Sequence, residues 1–166
     1  MAQKFRTFRI PQYNRGRKKE LDMSDIHSYS TSVKYSEQRK GVLSSGGLPS
    51  FEVATPPQFP GGHEGIWSPE HLFVASAEIC LMTTFLSIAE KSRLEFVEYS
   101  SEAVGTLEKT AEGMVMTKIV IKVKVVISDE AKRDRTLLLL EKSEKYCLIS
   151  NSMKTEVTIE PMVVVN

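Results

Sequence analysis

The chain contains two cysteines, Cys80 and Cys147, whose surroundings make them the first candidates for chemistry. Cys80 lies within an apolar run that extends from Leu72 to Ala89, and Cys147 follows a second helical pattern. Two thiols on separate predicted helices, with no third cysteine to compete for pairing, suggest a dithiol–disulfide couple. The alternative is a pair of small buried hydrophobic residues, because free cysteine is among the most buried residue types.

A cysteine that attacks a peroxide or exchanges a disulfide must be a thiolate, so a neighbouring group has to lower its pKa below the ordinary value of about 8.5. Cys80 lies too far along its predicted helix for the helix N-terminus to do this. The segment 37–41 offers a cation in Arg39, which precedes Gly41 at the approach to a turn. The Arg39 side chain could point inward past this small residue, but the residues alone favour an ordinary exposed arginine.

The histidines are weaker candidates. In a regular helix His71 and Cys80 would point to opposite faces and lie ~13 Å apart, so they cannot form a dyad for hydrolysis. His63 lies in a loop from which it could reach the thiol, but no third residue stands out to orient it. Two cysteines and three histidines at scattered spacing match no usual pattern of metal ligands.

The composition is that of one globular domain. The chain has 166 residues, of which 41% are apolar and 26% charged, enough for one core but not for two ordinary domains. The net charge of +1 gives no reason to expect nucleic acid as a partner. Basic residues are concentrated in residues 1–24, which we expect to form an N-terminal extension before a single domain at residues 25–166.

The sequence pattern does not predict export or a membrane span. The basic start is not followed by an apolar h-region, and the longest apolar stretch is interrupted by polar residues such as Glu78 and Thr83. We therefore expect a cytoplasmic protein. In a reducing cytosol, two cysteines favour reactive or simply buried thiols over a structural disulfide.

Apolar periodicity and turn signals predict an α+β domain. Ser68-Pro69-Glu70 is a helix start, with a good N-cap, a proline at the first position and an early acid. The helix should run to about Lys91, and its apolar residues lie nearly all round, as in a helix buried in a core or an interface. The predicted elements, in order, are a strand at 26–36, a hairpin around the turn 44–47, the long helix, strands at 96–108 and 114–127, a helix at 129–146, a short helix at 148–153 and a strand at 156–165.

This order indicates mostly antiparallel sheets packed around a long buried central helix. So few strands cannot cover a helix that is apolar on all sides. We therefore expect a second copy of the chain to cover part of the helix in a homodimer.

Five short motifs follow one another along the chain. They are Arg39-x-Gly41, the loop Pro60-Gly61-Gly62, the helix start Ser68-Pro69-Glu70-His71-Leu72, the segment Ala77-Glu78-Ile79-Cys80, and Tyr146-Cys147-Leu148-Ile149-Ser150-Asn151. In this order and spacing they resemble the OsmC/Ohr family of osmotically inducible and organic-hydroperoxide-resistance proteins, whose second cysteine motif is usually Cys-Pro-Val-Ser. The resemblance covers about residues 28–165. Each motif is weak alone, and the five together are specific.

The resemblance implies a thiol peroxidase that reduces organic hydroperoxides, with hydrogen peroxide as a further candidate substrate. Cys80 would attack the peroxide, Cys147 would resolve the product as a disulfide, and Arg39 and Glu70 would hold Cys80 as a thiolate. An intertwined homodimer with sites at the subunit interface is also implied. The implied reductant is a dithiol such as dihydrolipoamide, and no metal or organic cofactor is implied.

Three points stay open at the level of sequence. Leu148 replaces the family's proline, so the turn that presents Cys147 can be less rigid. On one straight helix Glu70 and Cys80 would lie ~15 Å apart, so we expect Glu70 to reach Cys80 of the partner subunit unless the helix starts later. The alternative function is a non-catalytic dimer of the same fold that binds an apolar ligand or a partner.

Overall fold

The computed structural model describes residues 26–166, so the predicted basic extension at 1–24 lies outside the described residues. The elements, in order, are β1 (Ser32–Tyr35), β2 (Lys40–Ser44), β3 (Phe51–Ala54), α1 (Pro69–Lys91), β4 (Glu98–Thr110), β5 (Gly113–Ile127), a 3-10 turn (Glu130–Lys132), α2 (Arg133–Tyr146), α3 (Leu148–Ser152) and β6 (Glu156–Val165). The strands form two three-stranded sheets, β1–β2–β3 and β4–β5–β6. The predicted α+β class is confirmed.

The first sheet is antiparallel and stands apart from the body of the chain. The hairpin predicted around residues 44–47 is confirmed, because β2 pairs with β3 and Leu43 lies opposite Phe51. The strand predicted at 26–36 is wrong in extent and burial, since only Ser32–Tyr35 is a strand and all four residues are exposed. This sheet makes no extensive contact with α1 or with the second sheet, so nothing within residues 26–166 covers these side chains.

The start of α1 follows the sequence signal. Ser68 is the N-cap, its hydroxyl accepts a hydrogen bond from the amide of His71, and Pro69 occupies the first helical position. The His71 ring completes the cap, with its Nδ1 atom 2.9 Å from the Ser68 hydroxyl. Capping satisfies amides that have no partner inside the helix, which is why the helix begins where the sequence predicts.

Within one chain, α1 is buried along one stripe and not all round. The stripe consists of residues four apart, which lie on one face of a helix: Ala77, Leu81, Phe85 and Ala89. These residues pack in a core with the inward-facing side of β5, where Ile119, Ile121, Val123 and Val125 alternate with exposed residues as predicted. Ile79 and Leu86 remain 56% and 39% exposed, so complete burial of the helix requires something beyond residues 26–166.

The second sheet is mixed, and the prediction of mostly antiparallel pairing is confirmed, because three of the four strand pairs are antiparallel. Strands β4 and β5 form the predicted antiparallel hairpin, whereas β5 and β6 are parallel, with Ile119 opposite Val157 and Ile127 opposite Val165. Parallel strands need a long crossover connection. Here the 3-10 turn, α2 and α3 supply it, because they carry the chain back before β6 begins.

By length and composition alone, α1 is also apolar enough to cross a membrane, as the core helix of a soluble protein often is. Only 22% of its most apolar 18-residue window is buried within the chain. Most of the helix is therefore only partly buried by the described residues 26–166.

The loop before α1 depends on a glycine at position 62. A Cβ atom there would lie 2.0 Å from the carbonyl oxygen of Pro56, which is far inside van der Waals contact with rigid backbone. We expect Gly62→Ala to lower the free energy of unfolding by about 1–3 kcal/mol, measured by urea denaturation. Gly46→Ala is the matched control, because no atom lies within 4 Å of the added methyl. Equal stability of the two variants would contradict this account.

Candidate functional site

The two cysteines, distant in sequence, meet where α3 packs against α1. The amide of Ile149 donates a hydrogen bond to Cys80 Sγ at 3.4 Å. Cys147 Sγ lies 3.9 Å from the carbonyl oxygen of Ala77, one helical turn before Cys80. Both thiols are free. The structure therefore brings together the pair that the sequence singled out.

The connection between α2 and α3 explains this meeting. Cys147 is the residue between the two helices, with an extended backbone at φ −65° and ψ 108°. The break turns the amides at the start of α3 away from α2, so they are free to donate to side chains. Within residues 26–166 the Leu148 and Ile149 amides have no backbone acceptor. A regular helix through this point would have used them on its own carbonyls.

The surroundings of Cys80 favour its thiolate. Partial burial raises the pKa of the Cys80 thiol, but hydrogen bonds from the Ile149 amide, the Cys147 thiol, the Thr84 hydroxyl and the Leu148 amide outweigh it. The net effect is a pKa below the ordinary value, because donors stabilise the charged sulfur. Sequence reasoning missed the amide donors. The sequence contained one signal for such a donor, because Leu148 keeps the backbone N–H that a proline at that position would lack.

The surroundings of Cys147 favour its neutral thiol. Its side chain is fully buried, and this burial raises the pKa of the Cys147 thiol above the ordinary value. The Ser150 hydroxyl donates a hydrogen bond to Cys147 Sγ at 3.1 Å and opposes the effect of burial. The adjacent Cys80 sulfur raises the pKa of Cys147 further, since two neighbouring thiolates repel each other. The pair is therefore asymmetric, with Cys80 the more readily ionised thiol.

Within residues 26–166, Arg39 is not a hydrogen-bond partner of either cysteine, and its side chain is exposed, as the residues alone favoured. It is an exposed turn residue with φ +63°. Its Nη1 atom donates to the carbonyl oxygen of Pro60 at 2.6 Å. Gly61 lies directly beneath the guanidinium, because a Cβ atom there would be 3.2 Å from Cδ and Nε of Arg39. Among residues 26–166, no carboxylate forms an ion pair with it.

Glu70 also lies away from Cys80 within the chain. It lines a cavity of about 680 Å³ whose wall includes Trp67, Val74 and Met116 but neither cysteine. Its Oε2 atom is buried and has no hydrogen-bond partner among the described residues. A buried carboxylate oxygen without a donor is costly. The described part of the chain therefore supplies no hydrogen-bond donor for this oxygen of Glu70.

His63 in the loop and His71 in α1 have structural roles. His71 caps α1 through Ser68, and His63 Nε2 lies 2.5 Å from the carbonyl oxygen of Gln38. Neither is a hydrogen-bond partner of Cys80, so a Cys–His dyad has no geometry here. The described residues 26–166 also contain no group of three His, Cys, Asp or Glu side chains placed to hold a metal ion.

Comparison with known proteins decides the family. The family model for OsmC-like proteins matches residues 61–162. The chain belongs to the OsmC-like family. The matched segment includes both cysteines and Glu70, whereas Arg39 lies before it.

This OsmC-like chain is similar in sequence or structure to several known proteins. The uncharacterized protein YmaD of Bacillus subtilis is 27% identical over 123 residues, which cover 72% of this chain and 81% of that protein. An OsmC-like protein of unknown function from Vibrio cholerae is 28% identical and superposes with a TM-score of 0.76, covering 82% of this chain and all of the other. An organic hydroperoxide resistance protein from Elizabethkingia anophelis shares the fold at a TM-score of 0.67 and 19% identity, covering 87% of this chain and all of the other.

The amide of Leu148 can be removed without removing a side chain that contacts Cys80. In Leu148→Pro the donor is lost, while proline suits the first position of a helix. We expect the pKa of Cys80 to rise by up to about one unit, because one hydrogen bond contributes roughly 0.5–1.5 kcal/mol. The pH profile of Cys80 alkylation, with the labelled residue located by mass spectrometry, measures it.

Leu148→Ala is the matched control, because it keeps the N–H and shortens the side chain. It should alkylate with the pH profile of the natural chain. A proline variant that titrates like the alanine variant would show that the amide of residue 148 does not act on Cys80.

Proposed function

We propose that this OsmC-like protein is a cysteine-based peroxidase that reduces organic hydroperoxides. The observation that carries the proposal is the asymmetric pair, in which a partly exposed Cys80 with a lowered pKa adjoins a buried Cys147 with a raised pKa. A peroxidase of this type needs one cysteine that is ionised to attack the peroxide and an adjacent cysteine that then forms the disulfide. Relatives named as organic hydroperoxide resistance proteins have the same fold, which supports this reaction over others.

The proposed cycle has three steps. The Cys80 thiolate attacks one peroxide oxygen, the O–O bond breaks, and the alkoxide leaves and is protonated to the alcohol, which makes Cys80 a sulfenic acid. The Cys147 sulfur then attacks the Cys80 sulfur, and the departing hydroxide takes the Cys147 proton to form water. A dithiol such as dihydrolipoamide reduces the resulting disulfide by two exchanges and becomes a cyclic disulfide itself. No cofactor enters these steps.

Substitution of each cysteine separates the two roles. Cys80→Ser should abolish the reduction of cumene hydroperoxide, because the attacking thiolate is absent. Cys147→Ser should keep the first turnover and then accumulate sulfinic acid at Cys80, since nothing captures the sulfenic acid. Mass spectrometry after one and several equivalents of peroxide distinguishes these products.

The same protein without substitutions tests the alternative function. Reduced protein treated with cumene hydroperoxide should lose two free thiols per chain. Loss of none would support the alternative, a non-catalytic dimer that binds an apolar ligand or a partner. An active Cys80→Ser with an inert Cys147→Ser would reverse the assigned roles.

We further propose that the protein is an intertwined homodimer. The first sheet exposes Val33, Tyr35 and Phe51 and makes no extensive contact with the body of its own chain. Two apolar residues of α1, Ile79 and Leu86, are likewise exposed within residues 26–166. Contiguous apolar surface of this kind marks an interface, and a second copy of the chain would cover both surfaces at once.

Composite active sites follow from the same arrangement. Within residues 26–166, Arg39 has no carboxylate partner, Glu70 has a buried oxygen without a donor, and neither is a hydrogen-bond partner of Cys80. We propose that Arg39 and Glu70 of one subunit pair and act on Cys80 of the partner subunit. An arginine can donate to a carboxylate and a thiolate together, because its guanidinium carries several donors in one plane.

We place this reaction in the cytoplasm, where free thiols stay reduced.

Mixed dimers test the composite site. Cys80→Ser chains and Glu70→Ala chains should each be inactive or weak as homodimers. Co-refolding them should recover activity, because one site of each heterodimer combines an intact Cys80 with an intact Glu70 of the other chain. Heterodimers isolated with two different affinity tags give the measurement. Tagged heterodimers without recovered activity would show that each chain builds its site alone.

A further inference from the structure

The hydrogen bond from Ser150 to Cys147 has no role in the cycle described so far. Ser150 lies one turn into α3, and its hydroxyl donates to Cys147 Sγ at 3.1 Å. Cys147 is fully buried, so no bulk solvent reaches the sulfur. The Cys147 thiol in turn faces the carbonyl oxygen of Ala77 at 3.9 Å.

These two contacts act in opposite directions when the sulfur becomes negative. The Ala77 carbonyl oxygen accepts from a neutral thiol and repels a thiolate. A hydroxyl donor strengthens its hydrogen bond as the acceptor gains charge, and such charge-assisted bonds are about twice as strong as neutral ones. Ser150 is therefore the side chain that favours charge on Cys147, while burial opposes it.

We propose that Ser150 is a catalytic residue of the resolving step, in which its hydroxyl stabilises the negative charge that Cys147 carries once its proton has left and before its sulfur attacks Cys80. This inference deepens the proposed peroxidase function and rests on it. In the step, the S–S bond forms, the S–O bond of the Cys80 sulfenic acid breaks, and hydroxide leaves with the Cys147 proton as water. Ser150 keeps its own proton throughout.

The prediction is a selective loss of the second step. In Ser150→Ala, sulfenic acid formation at Cys80 should keep its rate, while disulfide formation at pH values below the Cys147 pKa should slow by about three- to twentyfold, because the smaller thiolate fraction is partly offset by the higher nucleophilicity of a more basic thiolate. The pH profile of disulfide formation should also move to higher pH, because the Cys147 thiolate is less stable. Ser150→Thr keeps a hydroxyl and should restore most of the rate.

Ser152→Ala is the matched control. Its hydroxyl lies in the same short helix and donates to the carbonyl oxygen of Leu148 at 2.8 Å, away from both sulfurs. It should leave both steps unchanged. A slowed second step in Ser152→Ala equal to that in Ser150→Ala would overturn the proposal, because general loosening of α3 would then explain the result.

A disulfide probe separates this inference from the peroxidase proposal. Attack of Cys80 on 4,4′-dithiodipyridine releases one thiopyridone, and attack of Cys147 on the mixed disulfide releases a second. The inference predicts that Ser150→Ala slows only the second release. If Ser150→Ala slows only the second release but the natural chain ignores hydroperoxides, the peroxidase proposal fails and the effect of Ser150 on attack by Cys147 stands. A second release that is as fast in Ser150→Ala as in the natural chain, with the same pH profile, overturns the role of Ser150.

Discussion

Two cysteines that are far apart in the sequence share one site because the first turn of α3 packs against the middle of α1. Cys147 has an extended backbone that separates α2 from α3. The amides of Leu148 and Ile149, which follow it, donate hydrogen bonds to the sulfur of Cys80. The same crossover carries the chain back to pair β6 parallel to β5. The dithiol site and the parallel strand pair therefore have one structural cause, which is the return of the chain across α1.

The chemical asymmetry of the two thiols follows from where this turn places its donors. Two amides and a threonine hydroxyl act on the partly exposed sulfur of Cys80, and a serine hydroxyl acts on the buried sulfur of Cys147. Burial raises the pKa of both thiols, but only Cys80 has enough donors to reverse the effect. Leucine at position 148 contributes to this balance through its backbone, because it keeps an N–H that proline lacks.

The remaining polar groups of the site indicate what one chain lacks. Within residues 26–166, a buried oxygen of Glu70 has no donor, which is unfavourable, Arg39 has no carboxylate partner, and the first sheet makes little contact with the core. One interface could resolve all three. The carbonyl of Pro60 and the bare backbone of Gly61 meanwhile hold the Arg39 side chain extended, so that it is presented from an ordered loop.

The sequence by itself determined the local elements and the residues that matter chemically. Caps, turn signals and strand alternation predicted the start of α1, the two hairpins and β6, because these depend on neighbours in the chain. The family followed from motif spacing, and the family model supports it. Only the tertiary structure decided the parallel pairing of β6, the one-sided burial of α1, the outward course of Arg39 and the donors around each sulfur. Those depend on which segments meet in space, and no local pattern encodes the direction of a backbone amide across a break between two helices.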